Sequence, residues 1–438
     1  MRFVSLKRAL IPRGVKKAEF RLDLFERIDL EKIRTVLENK ETELLLTLRS
    51  KKMDCEYEEK ILELLQLKPH FLDLDAKAPP AFIRKVLKEY PETKLILSLH
   101  TQEPINLIDA YKNLSQYNAS FYKIAFFPKT ATEALRALLV AKSCPKLHVI
   151  CMGETMQFAR ILSPGLQYVA ENKEKRTAEG QLTLEEMELY LPVNEKTNVY
   201  ALIGNPVDKS QGHLFHNRAF KAKGINALYL KIGLTQEELP TFFPLARALG
   251  FKGFSVTMPL KEAVLPFVTN FDPDAKKIKA LNTLLLSETE IYGTNTDAEA
   301  LVVPIKKRLS LYGKRVILLG AGGGAHAAAY TLTESGATLL ILNRRLEKAQ
   351  KLAELYGARY GTLSDMEDSD VLINCTPSLQ PVDLTTISSS TLVMDMNYRS
   401  KKTPFLVEAE KRGASIISGE EMFQIQAELQ QRLFCHAL

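Results

Sequence analysis

Short apolar runs alternate with amphipathic stretches along the first 190 residues of the chain. The amphipathic stretches, such as LEKIRTVLENK (30–40) and ATEALRALLVAK (131–142), have the periodicity of helices. The apolar runs have the length and residue content of buried strands. Seven such runs lie at 18–24, 43–48, 70–75, 94–100, 121–127, 146–153 and 166–170. This alternation predicts a parallel α/β fold, and eight such units would close a (β/α)8-type barrel.

The position of an eighth strand is the open point of this prediction. FVSL (3–6) is apolar enough, but only 11 residues separate it from the run at 18–24, which is short for a crossover helix. Residues 5–17 are more typical of the end of a first helix whose strand is missing. Two alternatives follow: the natural N-terminus lies further upstream, or the barrel closes in an unusual way.

A second α/β pattern occupies the rest of the chain. The polar stretch LPVNEKT (191–197) predicts a linker, and the new pattern begins at NVYALIGNP (198–206). Residues 313–345 then show a strand, a glycine-rich turn, a helix and a second strand in that order. This order is typical of a dinucleotide-binding domain.

The composition is that of an ordinary globular protein of two or three domains. Of the 438 residues, 46% are hydrophobic and 25% are charged, and no apolar run reaches the ~18–20 residues that span a bilayer. The net charge of +7 is spread along the chain. It therefore favours small anionic substrates and argues against a nucleic-acid partner, and we expect no membrane association.

Five cysteines are scattered along the chain, without a CxxC pair or a cluster of metal-ligand type. Their odd number and lack of pattern fit reduced thiols, so we expect a cytoplasmic protein without a metal site. The first 17 residues are basic and contain no acid, but they are short and lack the apolar core of a signal peptide. A targeting role is therefore not favoured.

One lysine, Lys123, lies in the middle of the apolar run SFYKIAFF. Burying an ammonium there costs several kcal/mol unless it is paired or loses its proton. On a barrel strand Lys123 can point inward, and a lysine of lowered pKa can form a Schiff base with a ketone. For an isolated lysine the alternative, a side chain that points outward or reaches solvent at the strand end, is the better interpretation.

Other polar residues at predicted strand ends favour the interpretation of Lys123 as an inward-pointing nucleophile. His100 ends one strand and could transfer a proton. Glu19 and Arg21 alternate on one face of another strand, and Arg49 and Arg160 follow two more. A nucleophile, an acid/base and several guanidiniums suit an anionic keto substrate.

Residues 18–182 resemble type I 3-dehydroquinate dehydratase. The resemblance is carried by EFRLD, TLR, DLD followed by LILSLH, YKIAFFP, a later arginine and RTAEGQL. It implies that Lys123 forms an imine with the substrate ketone, and that His100 removes the adjacent proton and then protonates the departing hydroxyl. It also implies that the substrate is held by Glu19, Arg21, Arg49, Arg160, Thr177 and Gln181. Arg160 would hold the carboxylate, and Thr177 and Gln181 would lie on a loop over the substrate.

This segment departs from the family after Arg49. Where the family has an acidic residue and two glycines, the chain reads SKKMDCEYEE. Asp54 is the candidate replacement for the acid that would support His100. The departure also motivates an alternative in which the barrel has lost catalysis and serves as a scaffold or regulator.

The motifs GNPVDKSQGHLFHN (204–217), FSVTMPLKEAV (254–264), ALNTLLL (280–286) and GTNTDAEA (293–300) occur in this order before the glycine turn. Singly, Lys261 would be a surface lysine and Asp297 a helix N-terminal residue. Together the motifs resemble shikimate dehydrogenase over residues 198–434. The resemblance implies that Lys261 and Asp297 are the catalytic pair, with substrate contacts from Ser210, Thr257, Asn282, Tyr398 and Gln426.

One substrate contact of this second family is missing. The family has two serines in an SxS motif, whereas Ser210 is followed by Gln211 and Gly212. The lost hydroxyl contact would weaken substrate binding by about 1 kcal/mol if nothing replaces it.

The glycine turn indicates the cofactor. Its residues, which would approach a pyrophosphate at the helix N-terminus, are Gly320, Ala321, Gly322, Gly323, Gly324 and Ala325. The second strand ends in Asn343, Arg344 and Arg345, where an NAD site would carry an acid. These donors favour the 2′-phosphate of NADPH. An NAD-preferring or quinate-tolerant dehydrogenase remains the alternative.

The two resemblances imply consecutive reactions. 3-Dehydroquinate would lose water to give 3-dehydroshikimate, which NADPH would reduce to shikimate. We therefore predict a bifunctional enzyme in which a barrel precedes a two-lobed α/β dehydrogenase with a Rossmann domain. The expected domains are a dehydratase barrel at 1–190, a substrate-binding lobe at 198–305 completed by helices in 403–438, and an NADP-binding domain at 310–402.

Overall fold

In the computed structural model, the described residues are 1–39, 41–163, 165–190, 192–398 and 401–436. Contacts divide the chain into two compact units, Met1–Thr197 with Thr241–Leu249, and Asn198–Pro240 with Gly250–Leu438. Parts of the predicted linker, cofactor domain and final helix lie outside the described residues, namely Leu191, Arg399, Ser400, Ala437 and Leu438.

The first unit is built on eight parallel strands in one sheet, in the order β7-β6-β5-β4-β3-β2-β1-β8. The strands are β1 Arg2–Leu6, β2 Lys17–Arg21, β3 Glu43–Thr47, β4 Phe71–Asp75, β5 Lys94–His100, β6 Phe121–Phe126, β7 Leu147–Cys151 and β8 Gln167–Ala170. The helices are α1 Leu30–Glu38, α2 Cys55–Gln66, α3 Pro80–Glu89, α4 Leu107–Ser115, α5 Ala131–Ser143, α6 Gln157–Leu162 and α7 Leu184–Glu188. The alternation confirms the predicted barrel class.

The expectation of a missing first strand is wrong. Strand β1 is present and pairs on both sides, with Val4 beside Ala18 of β2 and beside Val169 of β8. The connection 7–16 contains no helix. A strand of five residues is about 17 Å long, and ten residues can extend over about 33 Å, so a loop is enough to return the chain to the start of β2.

Aromatic side chains show that the sheet curves into a barrel. The rings of Phe3 on β1 and Phe71 on β4 lie 5.3 Å apart, centroid to centroid. In a flat sheet, strands three positions apart would be separated by about 14 Å. Phe3 and Phe71 belong to a buried cluster with Leu45, Ile96 and Leu166, and this cluster forms an apolar floor inside the barrel.

Several helices of this unit begin at a side chain that accepts a backbone N–H. Asp29, Asp54 and Thr130 accept from the amides of the residues three positions later, at the starts of α1, α2 and α5. Such N-caps each stabilise a helix by roughly 1 kcal/mol. These N-caps fix the residue at which each helix begins and the preceding loop ends.

The second unit contains two six-stranded sheets. The first is mixed, in the order β10-β9-β11-β13-β14-β12, with strands β9 Asn198–Gly204, β10 Ala227–Gly233, β11 Phe251–Val256, β12 Asn270–Phe271, β13 Thr283–Leu286 and β14 Ile291–Thr294. The helices of this part of the chain are α8 Gly212–Ala222, α9 Leu239–Ala248, α10 Leu260–Ala263, α11 Pro273–Ile278 and α12 Asp297–Lys306.

The second sheet is parallel, in the order β17-β16-β15-β18-β19-β20. Its strands are β15 Arg315–Leu319, β16 Thr338–Leu342, β17 Arg359–Gly361, β18 Val371–Asn374, β19 Leu392–Asp395 and β20 Ser415–Ile417, and its helices are α13 Gly323–Glu334, α14 Leu346–Tyr356, α15 Pro404–Lys411 and α16 Gly419–His436. Apolar clusters cover both faces, as expected for a Rossmann domain. Helix α16 leaves this sheet and packs against α8 and β11.

The turn after β15 needs its first glycine for two reasons. Gly320 has a φ of +109°, and a Cβ there would lie 3.0 Å from Thr376 Cγ2. Within the described parts of the chain, no helix is long and apolar enough to cross a membrane.

Candidate active sites

The polar residues of the barrel form a layer directly above its apolar floor. Side chains two positions apart on a strand share a face, so each floor residue is followed by a polar one on the same side. Ser5 follows Phe3, Thr47 follows Leu45, Asp73 follows Phe71, Ser98 follows Ile96 and Lys123 follows Phe121. All five polar residues have at most 4% of their surface exposed.

A cavity of about 660 Å³ opens above this layer. It is lined by every residue that the sequence assigned to the barrel site, namely Glu19, Arg21, Arg49, His100, Lys123, Arg160, Thr177 and Gln181. The cavity lies at the carboxyl ends of the strands, where barrels of this class place their active sites.

Lys123 is 4% exposed, and its Nζ donates a hydrogen bond to Asp73 Oδ2. The other carboxylate oxygen of Asp73 accepts from Ser98 Oγ at 2.5 Å and lies 3.0 Å from Arg49 Nη2. The Nζ atom also lies 4.5 Å from the centre of the Tyr168 ring. The buried ammonium is therefore paired, which the sequence analysis did not foresee.

Burial lowers the pKa of Lys123, and Arg49 lowers it further, while Asp73 opposes both effects. Burial alone would raise the pKa of Asp73, but Arg49 and Lys123 hold it well below its usual range. The carboxylate is therefore ionised. The amine loses its proton more readily than a lysine in water does, as a nucleophilic lysine requires.

His100 is a neutral imidazole. Burial, followed by the charges of Arg49 and Lys123, lowers its pKa to about 2. Its Nδ1 atom is buried and has no hydrogen-bond partner among the residues that the structure describes. Asp54, the candidate support for His100, instead accepts from the Tyr57 amide at 3.2 Å as the N-cap of α2. His100 therefore lines the cavity as a neutral base, without the expected support from Asp54.

Glu19 and Arg21 are both held in place. Glu19 accepts from Ser5 Oγ at 2.5 Å and from Thr47 Oγ1 at 2.8 Å. Arg21 forms a two-point pair with Asp23, at 3.0 and 2.7 Å, and donates to the carbonyl of Thr177 at 3.3 Å. Their orientation is thus fixed by the barrel itself.

The loop after β8, residues 171–182, lies over the cavity. Thr177 donates from N and Oγ1 to Gln181 Oε1, and Gln181 Nε2 donates to Ser5 Oγ at 3.1 Å. Arg160 is 7% exposed and donates to the carbonyls of Cys151 and Glu179. Burial lowers the pKa of Arg160 to about 10, so its guanidinium stays charged at neutral pH.

The second unit contains a smaller cavity of about 130 Å³. It is lined by all seven residues that the sequence assigned to this site, namely Ser210, Thr257, Lys261, Asn282, Asp297, Tyr398 and Gln426. Helix α16 supplies Gln426 to the cavity.

Lys261 Nζ donates to Asp297 Oδ2 at 2.5 Å. Asn282 Nδ2 donates to the other oxygen of Asp297 at 2.8 Å and to Thr296 Oγ1 at 2.9 Å. Asp297 occupies the first position of α12, where the helix dipole favours a negative charge. The arrangement can hold a proton on the lysine and deliver it to a substrate oxygen in the cavity.

A tyrosine missed by the sequence analysis lies beside Gly212. A Cβ placed on Gly212 would lie 3.5 Å from the Tyr229 hydroxyl and 3.4 Å from Ser210 Oγ. Tyr229 is buried, and burial raises its pKa, so its hydroxyl is neutral. Ser255 and Gln430, also missed, line the same cavity and are hydrogen-bonded at 2.7 Å. Tyr229 and Ser255 lie on β10 and β11 and Gln430 on α16, and the local sequence of these elements gave no sign of a site.

The glycine turn fits a dinucleotide. A Cβ on Gly322 would meet nothing within 4 Å, which leaves open space at the N-terminus of α13. Arg344 and Arg345 are exposed and form no ion pair within the described ranges, and Asn343 donates to the carbonyl of Arg345 at 2.9 Å. Such free guanidiniums suit a phosphate.

The same turn touches the second site. A Cβ on Gly323 would lie 2.9 Å from the Cβ of Lys261, so the lysine stem passes directly over this glycine. Over the residues with described positions, no group of three or more histidine, cysteine, aspartate or glutamate side chains is arranged to hold a metal ion.

Three family models match the chain. Type I 3-dehydroquinase matches residues 7–197, the shikimate dehydrogenase substrate binding domain matches 202–284, and shikimate / quinate 5-dehydrogenase matches 304–408. The models follow one another without overlap, in the order of the two cavities.

Similar proteins include two whose match spans both units. The shikimate biosynthesis protein AroDE of Chlamydia pneumoniae is 36% identical over 95% of this chain and 89% of its own length. The bifunctional 3-dehydroquinate dehydratase/shikimate dehydrogenase of Arabidopsis thaliana, a chloroplastic protein, is 31% identical over 96% of this chain and 78% of its own. The structure of the shikimate 5-dehydrogenase of Thermus thermophilus with NADP(H) and shikimate covers 54% of this chain and 93% of that one, with a TM-score of 0.51 and 31% identity.

Proposed function

The chain belongs to the family of proteins that fuse a type I 3-dehydroquinate dehydratase to a shikimate dehydrogenase, and on that premise we propose which residues carry the two reactions. The protein is a bifunctional enzyme of the shikimate pathway. It dehydrates 3-dehydroquinate to 3-dehydroshikimate and reduces that product to shikimate with NADPH.

Lys123 is the nucleophile of the dehydration. Its amine attacks the substrate ketone, and loss of water leaves an iminium that withdraws electrons from the neighbouring carbon. His100, neutral and facing the cavity, removes the proton from that carbon. The resulting imidazolium then gives the proton to the hydroxyl that leaves.

Arg160 holds the substrate carboxylate, and Glu19, Arg21 and Arg49 hold its hydroxyls. The buried guanidinium of Arg160 uses Nε and Nη2 for backbone carbonyls, which leaves Nη1 for the substrate. Thr177 and Gln181 close the loop over the bound ring.

In the second site, Lys261 donates a proton to the carbonyl oxygen as this oxygen becomes an alkoxide. Asp297 holds the lysine in position, and Asn282 orients Asp297. NADPH, when bound, supplies the hydride. It would be held by the turn Gly320–Ala325, with Asn343, Arg344 and Arg345 at its 2′-phosphate. Ser210, Thr257, Tyr398 and Gln426 hold the substrate.

We assign these sites to a barrel at 1–190, a substrate lobe at 198–305 with the helices of 403–438, and a cofactor domain at 310–402. The partners are small molecules of the pathway, and we propose a cytoplasmic location without nucleic-acid or membrane partners. The observation that carries the assignment is the buried Lys123 in a cavity with His100 and three guanidiniums. A scaffold has no need of such a lysine.

Two measurements test the assignment. The purified protein is expected to consume NADPH when it is given 3-dehydroquinate alone. An active dehydrogenase that shows no such coupled oxidation would eliminate the dehydratase assignment. Borohydride added with 3-dehydroquinate is expected to leave a covalent adduct on Lys123, and an adduct on a different residue would contradict the role of this lysine.

A further inference from the structure

We propose that Asp73 is the counter-ion of both the Lys123 ammonium and the iminium that replaces it, so that one carboxylate keeps this nitrogen protonated through the dehydration. The inference rests on the proposed role of Lys123 as the imine-forming residue. It adds a catalytic residue whose carboxylate contacts the reacting nitrogen.

The charge balance of imine formation requires such a group. The ammonium and the ketone together give an iminium and water: the C–N bond forms, the C–O bond breaks, and two protons leave nitrogen with the oxygen. The positive charge therefore stays on nitrogen before and after the step. In a buried site it needs a negative partner at both stages.

Asp73 is built to remain in place as that partner. Its side chain is fully buried. Two groups, which are also hydrogen-bonded to each other, contact one of its oxygens. Ser98 Oγ donates to Oδ1 at 2.5 Å, Arg49 Nη2 lies 3.0 Å from the same oxygen, and Arg49 Nη1 donates to Ser98 Oγ at 2.9 Å. Oδ2 is left for Lys123.

The other acids near Lys123 have different partners. Glu19 accepts from the hydroxyls of Ser5 and Thr47. Asp75, two residues beyond Asp73 on the same strand, accepts from the Lys77 amide at 3.0 Å and lies 3.6 Å from Arg49 Nη1. Among the described side chains, Asp73 is thus the carboxylate that contacts the nucleophile.

The proposal includes a pH dependence, so the charged and titratable groups around the pair must be considered together. They come from the neighbouring strands and from one helix: Glu19 and Arg21 from β2, Arg49 after β3, Asp75 from β4, His100 from β5, His148 from β7, Tyr168 from β8 and Tyr57 from α2. The nearby cations destabilise a positive nitrogen. Removing the Asp73 charge is therefore expected to leave the iminium with a lower pKa.

The test is Asp73→Asn in the full-length protein. Losing an opposite charge at hydrogen-bond distance lowers a pKa by about 1–3 units. The fall of dehydratase kcat at high pH, the alkaline limb of its pH profile, should move to lower pH by at least about one unit. At about pH 6, where the variant iminium is still protonated, borohydride should label Lys123 as in the parent protein.

Asp75→Asn is the matched control, because Asp75 lies on the same strand and face and contacts Arg49 without contacting Lys123. It should leave the alkaline limb in place. Circular dichroism and the 3-dehydroshikimate reductase activity report whether each variant is folded. An unmoved limb in folded Asp73→Asn, or equal shifts in both variants, would overturn the proposal.

A measurement on the parent protein covers the case in which Asp73→Asn does not fold. Infrared difference spectra with isotope-labelled aspartate should show that no aspartate becomes protonated when the imine forms. A new band of a protonated aspartic acid would contradict the counter-ion role. If the parent gives no Lys123 adduct at all, the proposed function fails, and this outcome is distinct from failure of the Asp73 inference.

Discussion

Both active sites contain a lysine hydrogen-bonded to an aspartate, yet the two pairs have different surroundings. The side chains of Lys123 and Asp73 are 5% and 0% exposed, whereas those of Lys261 and Asp297 are 17% and 8% exposed. The barrel pair lies beside the guanidinium of Arg49. The carboxylate of the second pair is held by the neutral amide of Asn282.

This difference shows how the same two residue types serve two reactions. Burial and a neighbouring cation make Lys123 a better nucleophile, because they favour the loss of its proton. A more accessible lysine beside a neutral amide can instead exchange a proton with a substrate oxygen. The surroundings of the pair, and not the pair itself, determine the chemistry.

The largest expected effect separates the two lysines. Lys123→Ala should lower dehydratase kcat/KM by at least about 10⁴-fold, because the covalent route is lost. Reduction of 3-dehydroshikimate by the same variant should be unchanged. Steady-state assays of both reactions check this, with Lys261→Ala as the reciprocal variant. Unaltered dehydratase turnover in Lys123→Ala would favour the scaffold alternative.

The second prediction concerns the more exposed pair. Asp297→Asn should lower dehydrogenase kcat by about 10²–10⁴-fold, the range expected when a proton-transfer group is lost or misplaced. The KM for 3-dehydroshikimate should change much less, and dehydratase activity should not change. A variant that loses substrate affinity but keeps its kcat would mean that Asp297 binds substrate without supporting proton transfer.

A smaller effect is expected at the end of β16. Replacing both Arg344 and Arg345 by alanine should lower the preference for NADPH over NADH by about 10- to 100-fold, since charge-assisted hydrogen bonds to a phosphate are lost. Lys351→Ala, an exposed cation on α14, is the control and should leave the preference unchanged. The ratio of kcat/KM for the two cofactors is the measurement. If kcat/KM for NADH fell as much as kcat/KM for NADPH, the arginines would not contact the 2′-phosphate.

The smallest expected effect is the absence of a histidine titration in the barrel. The pKa of His100 is lowered to about 2, so its neutral, basic form is already complete far below neutral pH. Dehydratase kcat/KM should therefore not fall because of this group as the pH decreases from about 8 to 5, where an unperturbed histidine would titrate. A loss of dehydratase kcat/KM centred near the usual histidine pKa would contradict this assignment.

The strands and the motif-bearing residues could be predicted because their signals are local. Apolar runs of five to eight residues located β2 to β8. Every motif residue assigned to the two substrate sites lines a cavity. The first strand was misjudged because crossover connections usually contain a helix, whereas the ten residues 7–16 span the distance as a loop. Length alone could not distinguish these cases.

The residues that were missed depend on non-local contacts. Asp73 lies 50 positions before Lys123, and DLD taken alone does not show which carboxylate points at the lysine. The signal was present in the two-residue spacing, because Phe71 and Asp73 on β4 repeat the pattern of Phe121 and Lys123 on β6, with β5 between the two strands. Tyr229 offered no such pattern, since its hydroxyl becomes relevant only where Gly212 leaves space.

The folded loop over the barrel cavity has a consequence for how fast substrate arrives. Gln181 Nε2 donates to Ser5 Oγ and Arg160 donates to the Glu179 carbonyl, so two hydrogen bonds hold this loop against the barrel. Lifting the loop breaks both bonds, so for a substrate that enters beneath it the lifted fraction scales down the apparent affinity and the rate of capture together.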